Sequence, residues 1–200
     1  LASGTLYSSR GARSLYYAEY DSPLTNNGYA DKRDGDQSRS LFGKISYKDL
    51  TFSGVASSRR KDIPTGSYGA DFNSPNNKTT DSVGYLDLKY DHRLGQDIKA
   101  TARLFYDYRE YAGTYDYSGV MNSDSSNGQW LGTEWQITAS LAEALRVVAG
   151  MEYRYNLRQD QKNYDEFPYR LKLDQHESSN IWAAYLQSEI TLSDQWKINA

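Results

Sequence analysis

The sequence has 200 residues, room for one domain or two small ones, and its 23 basic and 26 acidic residues leave a net charge of −3, which argues against a nucleic-acid footprint. Cysteine is absent and the only histidines are His92 and His176, which excludes a disulfide scaffold, a zinc ribbon, a cysteine nucleophile and a multi-histidine metal site. Hydrophobic residues make up 38%, yet tyrosine occurs 19 times beside 4 tryptophans, more amphipathic rings than an ordinary soluble domain uses.

The chain opens at Leu1 without an initiator methionine or a signal peptide and stops at Ala200 inside an alternating pattern, so both ends read as cut. No run approaches ~18 apolar residues, which excludes a transmembrane helix. It does not exclude a transmembrane barrel, whose strands alternate and average out in any hydropathy window.

Period-2 segments follow one another along the chain. After an opening segment, Leu41, Gly43, Ile45 and Tyr47 oppose Lys44, Ser46 and Lys48, and the pattern restarts as Leu50, Phe52, Gly54 and Ala56. Gly84, Leu86, Leu88 and Tyr90 come next, then Ile98, Ala100, Ala102, Leu104, Tyr106 and Tyr108 against Lys99, Arg103 and Asp107. Leu131, Thr133, Trp135, Ile137 and Ala139 oppose Glu134 and Gln136; the cleanest segment runs from Leu145 through Val147, Ala149, Met151, Tyr153 and Tyr155 to Leu157 against Arg146, Glu152, Arg154 and Arg158. Trp182, Ala184, Leu186 and Ile190 follow, and Trp196 and Ile198 begin one more. That makes about nine strands of roughly ten residues, the length that crosses a bilayer when tilted. Phe42, Val55, Phe105 and Val148 fall on the polar side, so that side is mixed.

The connections alternate. Lys48–Asp49, 94–97, 141–144 and 192–195 read as tight turns, and 10–39, 59–81, 109–128 and 158–178 as long polar loops that hold all four prolines, Pro23, Pro64, Pro75 and Pro168. Short turns alternating with long loops along an up-and-down meander are the pattern of an outer-membrane barrel, with short periplasmic turns and long extracellular loops. Tyr47 beside a short turn, and Tyr106, Tyr108, Trp130, Tyr153, Tyr155 and Trp182 toward the long loops, fit the two interfacial girdles. The expectation is an all-β, antiparallel, up-and-down transmembrane β-barrel segment over residues 1–200. An odd strand number and unpaired edges in lipid mark it as an internal piece of a larger barrel, without plug or closing strands.

Candidate binding residues cluster in the loops. Arg59, Arg60 and Lys61 suit an anionic ligand such as a ferric siderophore, lipopolysaccharide phosphates, or simply a solvated rim. Tyr16, Tyr17 and Tyr20, with Tyr115 and Tyr117, suit a planar or sugar-like ligand, or equally packing of loop on loop. Asp31, Asp34, Gly35 and Asp36 offer oxygen ligands to calcium, but Lys32 and Arg33 interrupt them and the spacing of a calcium loop is missing, so a solvated loop is favoured. His176 lies between Asp174 and Glu177 with no evident partner for a metal or haem. The mixed-sign lumen charges suit cross-strand ion pairs, Arg103 with Glu134 among them, and contacts to a plug. No nucleophile has a base at motif spacing, so an enzyme is not expected and no metal or cofactor is called for.

Several stretches resemble the TonB-dependent outer-membrane receptors: Arg59 through Gly69, Thr79-Thr80-Asp81 leading into Leu86 through Tyr90, Arg103 through Tyr108, Gly150 through Arg154, and Tyr185 through Glu189. The resemblance runs along nearly the whole chain. It implies a 22-stranded barrel of a Gram-negative outer membrane, filled by an N-terminal plug, that imports a scarce small extracellular ligand such as a siderophore or corrinoid with energy from the TonB complex. It also implies surrounding lipid and lipopolysaccharide. No plug and no energy-coupling box are found in this sequence. A plug-free porin or adhesin barrel, and a soluble tyrosine-rich β-sheet binding protein, are the alternatives.

Overall fold

The computed structural model describes residues 1–193 and 195–200. The strands are β1 (Ala2–Ser9), β2 (Ser14–Tyr16), β3 (Tyr29–Asp31), β4 (Asp36–Tyr47), β5 (Leu50–Asp62), β6 (Lys78–Arg93), β7 (Ile98–Tyr117), β8 (Val120–Ala142), β9 (Leu145–Asp165), β10 (Arg170–Ser193) and β11 (Trp196–Asn199). Among the described residues, nine form one sheet in the order β1-β4-β5-β6-β7-β8-β9-β10-β11, and β2 pairs with β3 in the connection between β1 and β4. Every pairing in the large sheet is antiparallel. β1 and β11 each pair on one side, so the sheet does not close on itself.

The register aligns the apolar positions of all central strands. Leu41 faces Ala56 and Ile45 faces Phe52; Phe52 faces Leu88; Leu88 faces Leu104; Ala102 faces Trp135; Trp135 faces Met151; Met151 faces Ala184. Because side chains alternate across a strand, these pairs build one continuous apolar belt on one side of the sheet. Side chains stand apart on that side, with Ile45 71% and Leu186 74% exposed, and crowd together on the other, where Phe105 keeps only 7%. The polar side is therefore the concave one.

The tight turns lie where expected: Lys48–Asp49 between β4 and β5, 94–97 between β6 and β7, and Glu143–Ala144 between β8 and β9. Of the expected turn 192–195, Asp194 lies outside the described residues. The long loops require correction. Residues 109–128 are almost wholly strand, because β7 runs on to Tyr117, turns at Ser118–Gly119 and returns as β8. Residues 158–178 are likewise paired, with only 166–169 between β9 and β10. Residues 36–39, 59–62 and 78–81 are strand as well. The physical reason is that hydropathy alternates only where one face of the sheet is apolar. Beyond the belt both faces are polar, and ladder hydrogen bonds together with polar side-chain contacts such as Asn122 to Asp165 and Lys162 to Asp174 keep the strands paired. β7, with 20 residues, reaches about 66 Å at ~3.3 Å per residue, whereas a crossing takes about 9–11 residues.

Two further corrections concern faces. Trp130, expected in a girdle, pairs with Asp107 while its neighbour Gln129 faces Tyr108, so its ring lies on the concave side. Leu157, expected to end the alternating segment on its apolar side, is instead an unpartnered bulge residue, because Gln129 pairs with Arg158 and Trp130 with Asn156.

Candidate functional site

On the concave side, β6 to β9 bring charges of both signs together. Arg103 lies opposite Glu134, as its spacing predicts, at 3.7 Å, and makes its closer ion pair with Asp87 on the other neighbouring strand. The Tyr185 hydroxyl donates toward Glu134 (3.1 Å) and Gln136 (2.9 Å), fastening β10 to the same network. The Arg103 guanidinium also lies 4.8 Å from the Phe105 ring centroid, so the apolar residue on the polar face packs against a cation.

Farther toward the long hairpins, beyond this network, the concave side opens into a hollow of about 520 Å³ lined by Asp81, Arg109, Tyr111, Trp130, Arg154 and Asn156. Arg154 Nε is buried there with no hydrogen-bond partner among the described residues. A buried guanidinium N–H without an acceptor is costly, and an oxyanion is the acceptor that fits it. Trp130 and Tyr111 add aromatic surface beside the two arginines. Sequence alone conceals this hollow, because Arg109 stands in an expected loop and Trp130 on the expected lipid face. The signal that carries it is the odd parity of Arg109 and Tyr111, shared with Arg103 and Phe105.

The connections above this hollow form one cap. Tyr20 stacks on Phe72 at 4.3 Å and Tyr17 meets the same ring edge-on at 5.8 Å, while the Tyr20 hydroxyl accepts the Gly66 N–H at 3.1 Å. Asn77, 1% exposed, donates to the Asp71 carbonyl at 2.7 Å and accepts the Asp116 N–H at 2.8 Å, locking 63–77 onto the β7–β8 tip. Burial pushes the Asp116 carboxyl up, but hydrogen bonds from Ser74, the Gly119 N–H and Asn76 outweigh it and hold the group below its usual range. Tyr115, 4% exposed, touches the Tyr111 hydroxyl with its own and meets Tyr68 edge-on at 5.5 Å. Burial and then that hydroxyl contact push its phenol up. The Tyr117 hydroxyl donates to the Tyr68 carbonyl at 3.3 Å. Tyr16, beside Tyr29, stays half exposed.

The basic run Arg59-Arg60-Lys61 splits by strand alternation. Arg59 forms a two-pronged pair with Asp36 (3.0 and 2.5 Å), and Lys61 pairs with Asp34. The Lys61 contact, helped by the Ala12 N–H, holds the Asp34 carboxyl below its usual range, and Arg59 does the same for Asp36. Two of the acidic residues weighed for calcium are thus held by cations. Arg60 points to the opposite side of the strand. His176 sits between Asp160 (3.3 Å) on the facing strand and Asp174 (3.1 Å), partners that become visible only through the β9–β10 pairing. Among the described residues no group of three or more His, Cys, Asp or Glu side chains is placed to hold a metal.

The profile of the family described as TonB dependent receptor-like, beta-barrel, matches residues 7–200. The chain belongs to the TonB-dependent receptor β-barrel family. No curated protein matches it. Among solved structures it is similar to the ferric yersiniabactin uptake receptor FyuA from Yersinia pestis, at 11% identity and a TM-score of 0.58 over 82% of this chain and 27% of that one. It is also similar to the ferric citrate transporter FecA in its unliganded form, at 12% identity and a TM-score of 0.51 over 86% of this chain and 36% of that one. At such identities the likeness is one of fold, and the chain spans about a quarter to a third of each structure's length. The family and these structures are receptors and transporters, and members of the family are outer-membrane proteins of Gram-negative bacteria. In a TonB-dependent receptor barrel the apolar convex belt is the face that meets lipid and the concave face lines the lumen.

Proposed function

We propose that this chain supplies wall and extracellular cap to a larger TonB-dependent receptor of the outer membrane, one that imports a scarce anionic ligand such as a ferric siderophore. The whole protein then holds a plug domain in its lumen, draws energy from the TonB complex, and sits among phospholipid and lipopolysaccharide. The chain's share is recognition and containment, with no chemical step. Ligand enters under the cap, past exposed rings such as Tyr16, past the rim charges Arg59 and Lys61, and beneath Tyr17, Tyr20, Tyr115 and Tyr117, whose packing shapes the roof.

The observation that carries this reading is the unpartnered Arg154 Nε in a hollow shared with Arg109, Tyr111 and Trp130. Cationic donors beside aromatic faces match a chelate with carboxylate or phenolate oxygens and flat apolar parts. The test is a panel of ferric chelates, citrate and catecholate types included, offered to the full-length receptor. Arg154→Gln should weaken binding of the accepted chelate about tenfold or more, since a hydrogen bond to a charged group contributes about 1.5–3 kcal/mol. Unchanged binding by Arg154→Gln and Arg109→Gln together sinks the site, and steady ion conductance by the ligand-free protein in a planar bilayer marks an open channel instead.

A further inference from the structure

The two rim cations of β5 are occupied by the protein's own carboxylates. Arg59 and Lys61 stand two residues apart on the concave side, about 6–7 Å from each other at ~3.3 Å per residue. Arg59 lies in the register row of Asp81 and Tyr111, which line the hollow, and Lys61 lies in the next row outward on that side. Asp36 pairs with Arg59 and Asp34 with Lys61. Asp34-Gly35-Asp36 repeats the spacing of the cations, so it meets them as a dianion would. The Gly35 carbonyl between the two carboxylates accepts the Asp62 N–H at 2.9 Å and sets the turn against the strand.

Segment 12–34 hangs from this contact as a flap. Its ends meet at a narrow neck, where the Ala12 N–H donates to the Asp34 carboxylate and the Lys32 N–H to the Arg13 carbonyl, both at 2.9 Å. Gly11, at a φ of 66°, lies so close to the Asp34 backbone that a Cβ there would overlap it. Asp34 thus serves the neck and the barrel wall at once, and Lys61 also donates to its carbonyl at 3.0 Å. The flap's remaining attachments run to another part of the cap, through Phe72 and through Asn73, which meets the Asp31 N–H at 3.0 Å and Arg33 Nε at 3.1 Å. Its ion pairs to the wall are open to water: Lys61 and Asp34 keep 27% and 26% of their side-chain surface, and Arg59 keeps 57%. Such pairs contribute little each, so a competing anion replaces them without breaking a buried contact.

We propose that Asp34 and Asp36 are a built-in stand-in for the acidic groups of a ligand, an autoinhibitory latch that holds segment 12–34 closed until an anion with two carboxylates takes Lys61 and Arg59 from them. A neutral solute leaves both pairs intact, and an anion with one acidic group replaces one pair while the other holds. Opening is thereby tied to the charge of what arrives. The latch rests on the reading of the receptor as an importer of anionic ligands, but its parts are the flap and β5, apart from Arg154.

The test uses the full-length receptor with spin labels at Leu24→Cys, 96% exposed in the flap, and at Ser178→Cys, exposed on β10. The probes are glutarate, a dicarboxylate, and acetate at matched ionic strength. The label-to-label distance should be narrowly distributed in the wild type and should lengthen or broaden in Asp34→Asn/Asp36→Asn, in which asparagine still offers an oxygen to the Ala12 N–H but no charge to the cations. Glutarate should release the wild-type flap and acetate should not. The asparagine variant should also capture the accepted ferric chelate about tenfold faster, because two unpaired cations then face the solution; a contact that merely braces the fold gives no such gain. An unchanged distance in the asparagine variant overturns the latch, and so does slower or equal capture. Equal effects of glutarate and acetate overturn the stand-in role. A receptor whose flap answers to glutarate but that binds no ferric chelate refutes the importer reading and keeps the latch. One that binds a chelate through Arg154 while its flap ignores both aspartates refutes the latch alone.

Discussion

Phe105 lies across Gly132 on the neighbouring strand, and Tyr185 lies across Gly150 in the same way. A Cβ at position 132 would overlap the Phe105 ring, and one at 150 would overlap the ring of Tyr185. These glycines let large rings lie flat over the sheet on the crowded concave face, which explains how Phe105 fits where alternation calls for a polar residue. Gly132→Ala should therefore destabilise the folded barrel by about 1–3 kcal/mol through overpacking, read as a lowered thermal or denaturant midpoint. Gly43, where an added methyl would meet nothing within 4 Å, should accept alanine with little change. The Arg103–Glu134 contact is legible from spacing because both residues lie inside the alternating region. Arg154 is legible as a lumen charge, yet its missing partner is not, since that depends on what β8 and β10 leave beside it.

At the scale of elements, the central strands and their tight turns can be read from the sequence because lipid imposes a period of 2 on them. The extensions cannot, because Tyr111, Thr114, Asn122 and Ser126 form ladders with polar side chains on both faces. One signal is available: Ser118–Gly119, both at positive φ (56° and 87°), form the kind of two-residue turn that joins hairpin strands. The belt has its own prediction. Ala149 faces Ile137 and Leu186 in mid-belt, and Ala149→Arg should cost about 2–4 kcal/mol if that row lies near the bilayer midplane. Folding titrations of the full-length barrel into vesicles give the number, and a cost near zero would place the row in water.

The cap offers a third test at this scale. Asp34, Asp36 and Asp116 are all held below their usual range by hydrogen bonds and ion pairs. Carboxyls depressed in the folded state stabilise it above their ordinary pKa of about 4, and that contribution is lost as pH falls through the lower folded value. Acidification below about pH 4 should therefore raise amide exchange in 10–35 and 63–77 before it affects the belt strands, while mildly acidic to neutral pH should leave the cap closed. Simultaneous loss of protection in belt and cap would show that these contacts do not hold the cap separately.

For the molecule as a whole, composition describes a polar, cysteine-free chain, and the register explains why that average misleads. An apolar convex face, a mixed concave face and two hairpins that continue far into water are summed into one number. The tyrosines divide the same way: Tyr153 packs with Trp182 at 4.2 Å at the upper edge of the belt, whereas Tyr17, Tyr20 and Tyr115 hold the cap together. The family is recognisable from diffuse strand patterns because the barrel wall repeats one physical rule from strand to strand. The hollow around Arg154 is not, since it is assembled from several strands.

All of these readings depend on which face meets lipid. The direct measurement is site-directed spin labelling of the full-length receptor in bilayers, at Leu86 and Met151 on the convex face and at Glu134 and Glu152 on the concave one; this segment has no native cysteine to interfere. Labels at 86 and 151 should be relaxed by oxygen and shielded from a water-soluble nickel chelate, and labels at 134 and 152 should show the reverse. Equal access of the chelate to both faces would contradict the assignment of the convex belt to lipid.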